Sequence, residues 1–380
     1  MSERIAPRAA LGGLIAIAAA MGIGRFVYTP ILPFMDEALG LSKAQGGLIA
    51  SANYLGYLLG ALAASIIALP GGRRRWILGA LALSALSTGA MGLSSTMTLF
   101  LTLRFLGGVA SALVLVLIVA FVLDHLTAAG RMELFALNFA GVGVGIVLSA
   151  LLIAGLAGLD YGWRAQWLYA GVLSCAAFGL AARLTPGDIP SHHRDDAAAE
   201  APMDRALIAL IAAYGLFGFG YIITATFISA MVRSQPEIRS VEPVIWLAVG
   251  LAAIPSGVLW SWVGRRIGNG RAFAAACLIE AAGVALSVLV ITPTAILLSA
   301  VLLGGTFVGI TALGLVEARK LSKGDPRRDL GFMTAAFALG QIIGPSFAGY
   351  AHRIDDNFLA PSLAAAAALV IAAGLVTVRR

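Results

Sequence analysis

Charged residues are scarce in this sequence. Asp, Glu, Lys and Arg make up 12% of its 380 residues, whereas soluble globular chains contain about 25%. Hydrophobic residues make up 60%, and the mean hydropathy is +0.93. The few charges are clustered, which leaves uncharged apolar runs of about 18 residues or more, the length of a transmembrane helix. The composition therefore excludes an ordinary soluble domain and predicts a polytopic membrane protein.

The sequence also lacks the patterns that would indicate an enzyme, a metal site or a disulfide framework. It contains no H-E-x-x-H, G-x-S-x-G or phosphate-binding glycine loop, so we expect neither catalysis nor a cofactor. Its cysteines, Cys175 and Cys277, lie in separate apolar spans. His192 and His193 are adjacent in a polar segment, which is more typical of a solvated loop than of a metal site. We therefore expect no bound metal.

Apolar runs predict twelve transmembrane helices. Several exceed the ~20 residues needed to cross a bilayer, which indicates tilted or kinked helices. The predicted spans are residues 9–34, 44–69, 76–94, 97–124, 132–157, 163–184, 205–232, 243–263, 272–291, 294–318, 329–351 and 359–378.

The positions of the basic residues predict the orientation. The net charge of +7 does not indicate nucleic-acid binding, because the basic residues lie in short loops between apolar spans. Of the 26 Lys and Arg residues, 19 would share the side of the N-terminus, five would lie opposite, and Arg25 and Arg104 fall within spans. Basic residues accumulate on the cytoplasmic side. We therefore expect both termini in the cytoplasm of a bacterial cell, with the chain in its inner membrane.

A polar segment and an internal repeat divide the chain. Residues 185–205 are rich in Pro, Asp and small residues, as in a flexible linker. The halves on either side match at an offset near 196, for example Gly22 with Gly218 and Gly24 with Gly220. We therefore predict an N-terminal six-helix bundle (1–184), a cytoplasmic linker (185–205) and a C-terminal six-helix bundle (206–380).

Several motifs carry a family resemblance. The loops "LPGGRRRW" and "VGRRIGNGR", which lack the usual acidic residue, resemble degenerate copies of the cytoplasmic signature of the major facilitator superfamily. Arg104-x-x-x-Gly108 resembles an element of the fourth helix in that superfamily. The segments "GIGRFVYTPILPFM", "NFAGVGVGI" and "GQIIGP" are similar to its YbfB/YjiJ-type bacterial branch. By resemblance, the basic loop residues take part in gating; they are Arg73, Arg74, Arg75, Arg265, Arg266 and Arg271.

The resemblance implies an all-α membrane protein whose twelve helices form two pseudo-symmetric six-helix bundles. It also implies alternating access, with spans 1, 4, 7 and 10 lining a central cavity, and proton-coupled symport of a small organic solute by a monomer. A carboxylate or another organic anion is the first substrate class considered. Efflux of an amphipathic metabolite or drug is the alternative, although Ile146 after Gly145, where antiporters carry proline, disfavours drug/proton antiport. A transporter-like sensor or assembly protein is the non-transport alternative.

Arginine within the hydrocarbon is costly and usually functional. Arg25 and Arg104 would lie at similar depth, so one hypothesis is an anion clamp, since guanidinium forks match carboxylates. The structural alternative is that each arginine caps backbone carbonyls or steadies span 1.

Other polar residues in the spans complete the predicted site. Tyr28 shares a helix face with Arg25, and Tyr221 occupies the repeat-related face of span 7. Further substrate-binding candidates are Asn53, Tyr54, Tyr57 and Gln341, for which interhelical hydrogen bonding is the alternative. Glu280 in span 9 is the proton-coupling candidate, or else a protonated, hydrogen-bonded structural residue. Asp124 near a cytoplasmic end is expected to be solvated or to pair with a loop arginine.

Overall fold

The computed structural model describes residues 2–66, 70, 72–93, 95–135, 137–188, 203–323 and 326–377. Every regular element in this part of the chain is helical. The α-helices are α1 (Ser2–Ile17), α2 (Tyr28–Leu39), α3 (Lys43–Ile66), α4 (Arg73–Ala90), α5 (Met97–Ala128), α6 (Leu137–Gly158), α7 (Trp163–Leu184), α8 (Arg205–Arg233), α9 (Glu242–Ile267), α10 (Asn269–Leu289), α11 (Pro293–Leu321), α12 (Pro326–Asp355) and α13 (Leu359–Thr377).

These helices confirm the predicted all-α membrane protein. Within the described residues, twelve helical segments are long and apolar enough to cross a bilayer, and α1 and α2 together form the first, Ile5–Leu39. Helices are expected because each backbone polar group in hydrocarbon must be bonded within its own segment. Most of the predicted linker, and with it His192 and His193, lies outside the described residues.

The first span, predicted over residues 9–34 and longer than a straight crossing requires, is interrupted. Ala18–Ile23 form a π-helical segment, and residues 24–27 form a turn before α2 begins. The Gly24 N–H donates to the carbonyl of Ala19 at 2.8 Å, five residues back. Pro30 lacks the N–H that would bond the carbonyl of Phe26 in a regular helix. The break therefore falls at the residues that surround Arg25.

The helices cluster into two units. The first comprises Met1–Val27 and Gly56–Asp196, and the second comprises Tyr28–Leu55 and Ala197–Arg380. This division differs from the predicted six-plus-six bundles in residues 28–55, which group with the C-terminal helices because α2 packs on α8 and residues of α3 contact α12. The boundaries predicted from the repeat stay a prediction.

Glycine lets helices approach closely within each unit. In the first unit, a methyl group on Gly22 would overlap the backbone of Gly145 on α6. In the second unit, a methyl group on Gly340 of α12 would overlap the backbone of Gly215 on α8. Lipid chains are as apolar as the side chains, so close van der Waals packing of small residues holds membrane helices together.

Candidate functional site

Arg25 lies in the turn that interrupts the first span, and it is only 2% exposed. Its guanidinium carbon is 4.4 Å from the ring centroid of Tyr57 on α3 and 5.5 Å from that of Phe26. Aromatic faces stabilise a cation in such positions, and more strongly where water is excluded. The first unit therefore buries a positive charge against two aromatic rings.

Arg104 of α5 fixes the backbone on which Arg25 sits. Its Nη1 donates to the carbonyl of Gly24 at 3.0 Å and its Nη2 to the carbonyl of Arg25 at 3.1 Å. These two carbonyls lie at the break, where the regular helical ladder does not bond them. The geometry supports the structural alternative for Arg104, which caps the broken helix. It also explains how Arg25 is held, since the cap includes its own carbonyl.

In the second unit, Tyr221 and Gln341 are brought together. The Gln341 amide of α12 donates to the Tyr221 hydroxyl of α8, and both residues are buried. The Tyr221 ring is parallel to that of Phe307 on α11, at 5.7 Å and 3°, and to that of Phe337 on α12, at 5.8 Å and 5°. Phe217 stacks on Tyr221 and on Phe337 at 5.1 and 5.4 Å. We call these four rings the aromatic stack.

Sequence reasoning identified Tyr221 but missed Phe307 and Phe337. Phe217 lies four residues before Tyr221 on the same helix, so the spacing predicts a shared face for these two. Phe307 and Phe337 come from two other helices, and only tertiary packing sets their rings parallel to that of Tyr221. The available signal was weak, namely that both are large aromatic residues near the middle of predicted spans.

The remaining predicted contacts fall into both units. Tyr57 belongs to the first unit with Arg25 and Arg104, whereas Tyr28, Asn53 and Tyr54 belong to the second. All four are buried, and the Tyr28 hydroxyl donates to the carbonyl of Gly46 at 2.8 Å. That bond ties α2 to the start of α3. The role of these residues in substrate binding stays a prediction.

Glu280 is fully buried on α10, one helical turn after Cys277. Thr306 of α11 is its polar neighbour, yet the Thr306 hydroxyl donates to the carbonyl of Leu302 at 2.7 Å. Neither Glu280 oxygen has a hydrogen-bond donor within geometric limits among the described residues. A carboxylate without a donor or cation is costly in hydrocarbon, so Glu280 remains the candidate for carrying a proton.

The basic residues Arg73 and Arg74, predicted in a loop, form the start of α4 and have acidic partners elsewhere in the first unit. Arg73 forms an ion pair with Asp124 near the end of α5, as expected, and the Arg74 N–H donates to the Asp188 carboxylate at 3.1 Å. The signature lacks its usual acidic residue, and Asp124 and Asp188, which are distant in sequence, thus contact its basic residues instead. Arg265, Arg266 and Arg271 of the second copy are exposed, and Arg266 lies 5.1 Å from the Trp262 ring.

A seam within the second unit joins α2 and the first half of α3 to α8, α9 and α12. We call it the α2–α8 seam. Thr29 donates to the carbonyl of Ala225 at 2.7 Å, and Ser51 donates to that of Ile342 at 2.6 Å. At one end, Arg233 of α8 donates to both oxygens of Glu37 at 2.6 Å.

Two further contacts complete the surroundings of Arg233. Its Nη1 donates to Glu242 of α9 at 2.7 Å, and its guanidinium carbon lies 4.0 Å from the Phe34 ring centroid. Sequence reasoning missed this cluster, because its members carry no motif and are distant along the chain.

The seam pairs residues that the internal repeat makes equivalent. Thr29 and Ala225 are 196 residues apart, as are Glu37 and Arg233. The same offset relates Gly22 to Gly218 in the sequence repeat. Equivalent residues meet wherever a two-fold axis passes between two related elements. Contacts made in space therefore reproduce the offset that sequence matching found.

The described residues form twelve candidate membrane spans, the first of them broken, and they contain contacts at the repeat offset of 196. These features are typical of multi-pass membrane proteins with transporter architecture. Residues 17–377 match the model of the family described as "Uncharacterised MFS-type transporter YbfB". The chain belongs to this family of the major facilitator superfamily, which confirms the resemblance found in its motifs.

Two curated relatives share part of the chain. The 3-(3-hydroxy-phenyl)propionate transporter of Escherichia coli (strain K12) is 30% identical over 150 residues, 40% of this chain and 37% of that protein. The benzoate transport protein of Acinetobacter baylyi (strain ATCC 33305 / BD413 / ADP1) is 29% identical over 156 residues, 40% of this chain and 33% of that protein. The chain thus spans about a third of the length of each of these two relatives.

Solved structures confirm the fold. A mutant of the nucleoside transporter NupG is similar with a TM-score of 0.74 at 15% identity, covering 97% of both chains. A second structure of NupG is similar with a TM-score of 0.70 at 15% identity, covering 98% of both chains. At this identity the likeness shows the fold alone.

Proposed function

We propose that the protein is a secondary active transporter that moves a small organic anion, in particular an aromatic carboxylate, across the bacterial inner membrane by alternating access. The observation that carries the proposal is the buried guanidinium of Arg25 at the break of the first span, on a backbone capped by Arg104. Both relatives support it, because one is named for 3-(3-hydroxy-phenyl)propionate and the other for benzoate.

Arg25 is suited to bind the carboxylate. A guanidinium presents its donors in a planar fork that matches two carboxylate oxygens. Interrupted helices supply the ion and substrate contacts of many secondary transporters, since irregular backbone at membrane depth is tolerated where it lines a cavity. We therefore assign substrate binding to Arg25 and a positioning role to Arg104, in place of a clamp made by two equal arginines.

The aromatic stack is a separate candidate site within the second unit, and it is suited to bind an aromatic ring. Parallel and offset aromatic rings attract each other beyond the effect of burial, and Phe307 and Phe337 each present a ring parallel to Tyr221. The Tyr221–Gln341 pair adds polar groups that can bond a ring substituent. An aromatic ring without a carboxylate would also suit these side chains, which keeps efflux of an amphipathic metabolite or drug as the second candidate.

Proton coupling through Glu280 is part of the proposal. Its fully buried carboxyl group has no hydrogen-bond donor within geometric limits among the described residues, so proton uptake would remove a costly charge. The proposal also places both termini in the cytoplasm, because the basic residues are distributed asymmetrically between the loops. It takes the protein to be a monomer.

The proposal is tested by binding to purified protein. Benzoate and 3-phenylpropionate should stabilise it against thermal unfolding, whereas benzyl alcohol and toluene should do so weakly. Arg25→Lys keeps the charge but loses the fork, so carboxylate affinity should fall about ten- to a hundred-fold, the equivalent of about 1.5–3 kcal/mol. The matched control is Arg164→Lys, since Arg164 is exposed and bonds the Gly92 carbonyl.

Two results would contradict the anion proposal. One is unchanged carboxylate binding in a folded Arg25→Lys protein. The other is equal stabilisation by benzyl alcohol and benzoate, which would favour the amphipathic alternative. Benzoate-driven proton uptake into proteoliposomes then separates symport from uncoupled binding. Symport must acidify the lumen faster than in protein-free liposomes, because benzoic acid also crosses the bilayer unaided.

A further inference from the structure

A cavity of about 570 Å³ opens in the first unit where the ends of α1, α4 and α7 meet. Three arginines line it, one from each helix end: Arg8, Arg74 and Arg183. Ile5 and Pro186 add apolar surface. The volume is in the range of small-molecule sites, and neither the solute-binding residues nor the α2–α8 seam includes any of its lining residues.

Hydrogen bonds hold two of the guanidinium groups in place. Arg8 donates through Nη2 to the carbonyl of Arg183 at 2.8 Å. Arg74 donates to the carbonyls of Thr185 and Ala182 at 3.1 and 2.8 Å. These bonds use carbonyls at the end of α7, and each guanidinium has five N–H donors. Donors therefore remain for an anion in the cavity.

Among the side chains that the structure describes, the charge around the cavity is positive. Asp188 supplies one carboxylate, which accepts the backbone N–H of Arg74 rather than its guanidinium. Asp124 is paired with the neighbouring Arg73. Three arginines thus face one carboxylate, and the excess suits an anionic group.

Exposed apolar side chains lie close to two of the arginines, Arg8 and Arg183. Leu11 and Leu180 are each 48% exposed and lie three residues from Arg8 and Arg183, on the same helix faces and further into the span. Trp76 is 37% exposed, and its indole N–H donates to the carbonyl of Pro70 at 2.9 Å. Exposed leucines in a membrane helix face acyl chains, and tryptophan marks the interface. The cavity therefore lies where the helix surface changes from apolar to basic.

We propose that this cavity binds the phosphate-bearing headgroup of an anionic phospholipid. The guanidinium groups of Arg8, Arg74 and Arg183 donate to the phosphate oxygens in charge-assisted hydrogen bonds. The acyl chains lie along Leu11 and Leu180. Basic pockets between membrane helices on the cytoplasmic side are suited to such headgroups, and the predicted orientation places these helix ends on that side.

The test uses the full chain in detergent and measures thermal unfolding with added lipid. The probes are phosphatidylglycerol, phosphatidylcholine with the same acyl chains, and inorganic phosphate. We expect stabilisation by phosphatidylglycerol alone. R8Q/R183Q should raise the half-saturating concentration of phosphatidylglycerol at least about tenfold. The matched control R265Q/R266Q removes two exposed arginines at the end of α9 and should leave that concentration unchanged.

Native mass spectrometry provides a second readout, because the wild type and R265Q/R266Q should retain phosphatidylglycerol that R8Q/R183Q releases. Equal loss of lipid in both double variants would show nonspecific charge attraction and overturn the proposal. Equal stabilisation by phosphate and by phosphatidylglycerol would identify a soluble-anion site and also overturn it. If R8Q/R183Q does not fold, R183Q alone replaces it, since that side chain is exposed.

Discussion

Arg233→Gln is expected to open the α2–α8 seam. Arg233 makes three charge-assisted hydrogen bonds, two to Glu37 and one to Glu242. The Glu37 side chain is 55% exposed, so its pair is screened and contributes only about 0.2–1 kcal/mol. The Glu242 and Arg233 side chains are 17% and 15% exposed, and a buried hydrogen bond to a charged group contributes about 1.5–3 kcal/mol.

These contributions amount to about 2–4 kcal/mol, or roughly 30- to several-hundred-fold in the equilibrium between the closed and open seam, because each 1.4 kcal/mol is a factor of ten. A cysteine at Ser51, which is buried in the seam, reports the opening. In a Cys-free background, Ser51→Cys should react with a maleimide at least about 30-fold faster when Arg233 is replaced by Gln.

The matched control is Arg239→Gln, which removes an exposed positive charge near the same end of α8. It should change the labelling rate by less than about twofold, in keeping with its exposure. Labelling of the Arg233→Gln protein at the parental rate would show that Arg233 does not keep the seam closed. Equal acceleration by Arg239→Gln would show the same. The effects of Glu242→Gln and Arg233→Gln on the labelling rate should be non-additive, since both substitutions break the same Arg233–Glu242 contact.

Three further predictions follow from the buried contacts. Arg104→Ala should lower the free energy of unfolding by about 2–4 kcal/mol in denaturant titrations, since two buried carbonyls lose their donor. The control Arg164→Ala should lower the same free energy by less than about 1 kcal/mol. Gly22→Val should prevent folding or cost more than about 3 kcal/mol, because its side chain would overlap the Gly145 backbone. At Gly79, where nothing lies within 4 Å, valine should cost about 1 kcal/mol or less by the same measurement. Glu280→Gln should abolish solute-driven proton uptake in proteoliposomes while preserving solute binding; unchanged uptake would exclude Glu280 as the coupling group.

A pH prediction concerns the start of α8, outside the membrane. The hydrogen bond from Lys323 to Asp204, together with that from the Ala206 N–H, lowers the pKa of this carboxyl from its ordinary value. The stabilisation is therefore complete above the ordinary pKa of 3.8 and is lost as the pH falls through the lowered one. Asp204→Asn should flatten the dependence of unfolding temperature on pH below about 4. An unchanged profile would show that this pair does not contribute.

Two residues of the candidate site, Arg25 and Arg104, could be predicted from the sequence. Arg25 and Arg104 were identified because arginine inside an apolar span is conspicuous and costly, and the structure brings them into direct contact through the Arg25 carbonyl. That Arg104 caps the carbonyls of Gly24 and Arg25 was not predictable. This cap depends on a break in the helix that the uniformly apolar residues 9–23 do not signal.

The sequence by itself determined the twelve spans, because lipid offers no partner for backbone polar groups and each apolar run must bond its own as a helix. It also determined the repeat, whose offset of 196 reappears in the Glu37–Arg233 and Thr29–Ala225 contacts. Only the tertiary structure decided which helix faces meet: the seam, the aromatic stack and the grouping of residues 28–55 with the second unit. The physical reason is that lipid and apolar side chains solvate a helix equally well. The hydropathy of a helix therefore does not indicate which helices pack against it, and close packing alone selects them.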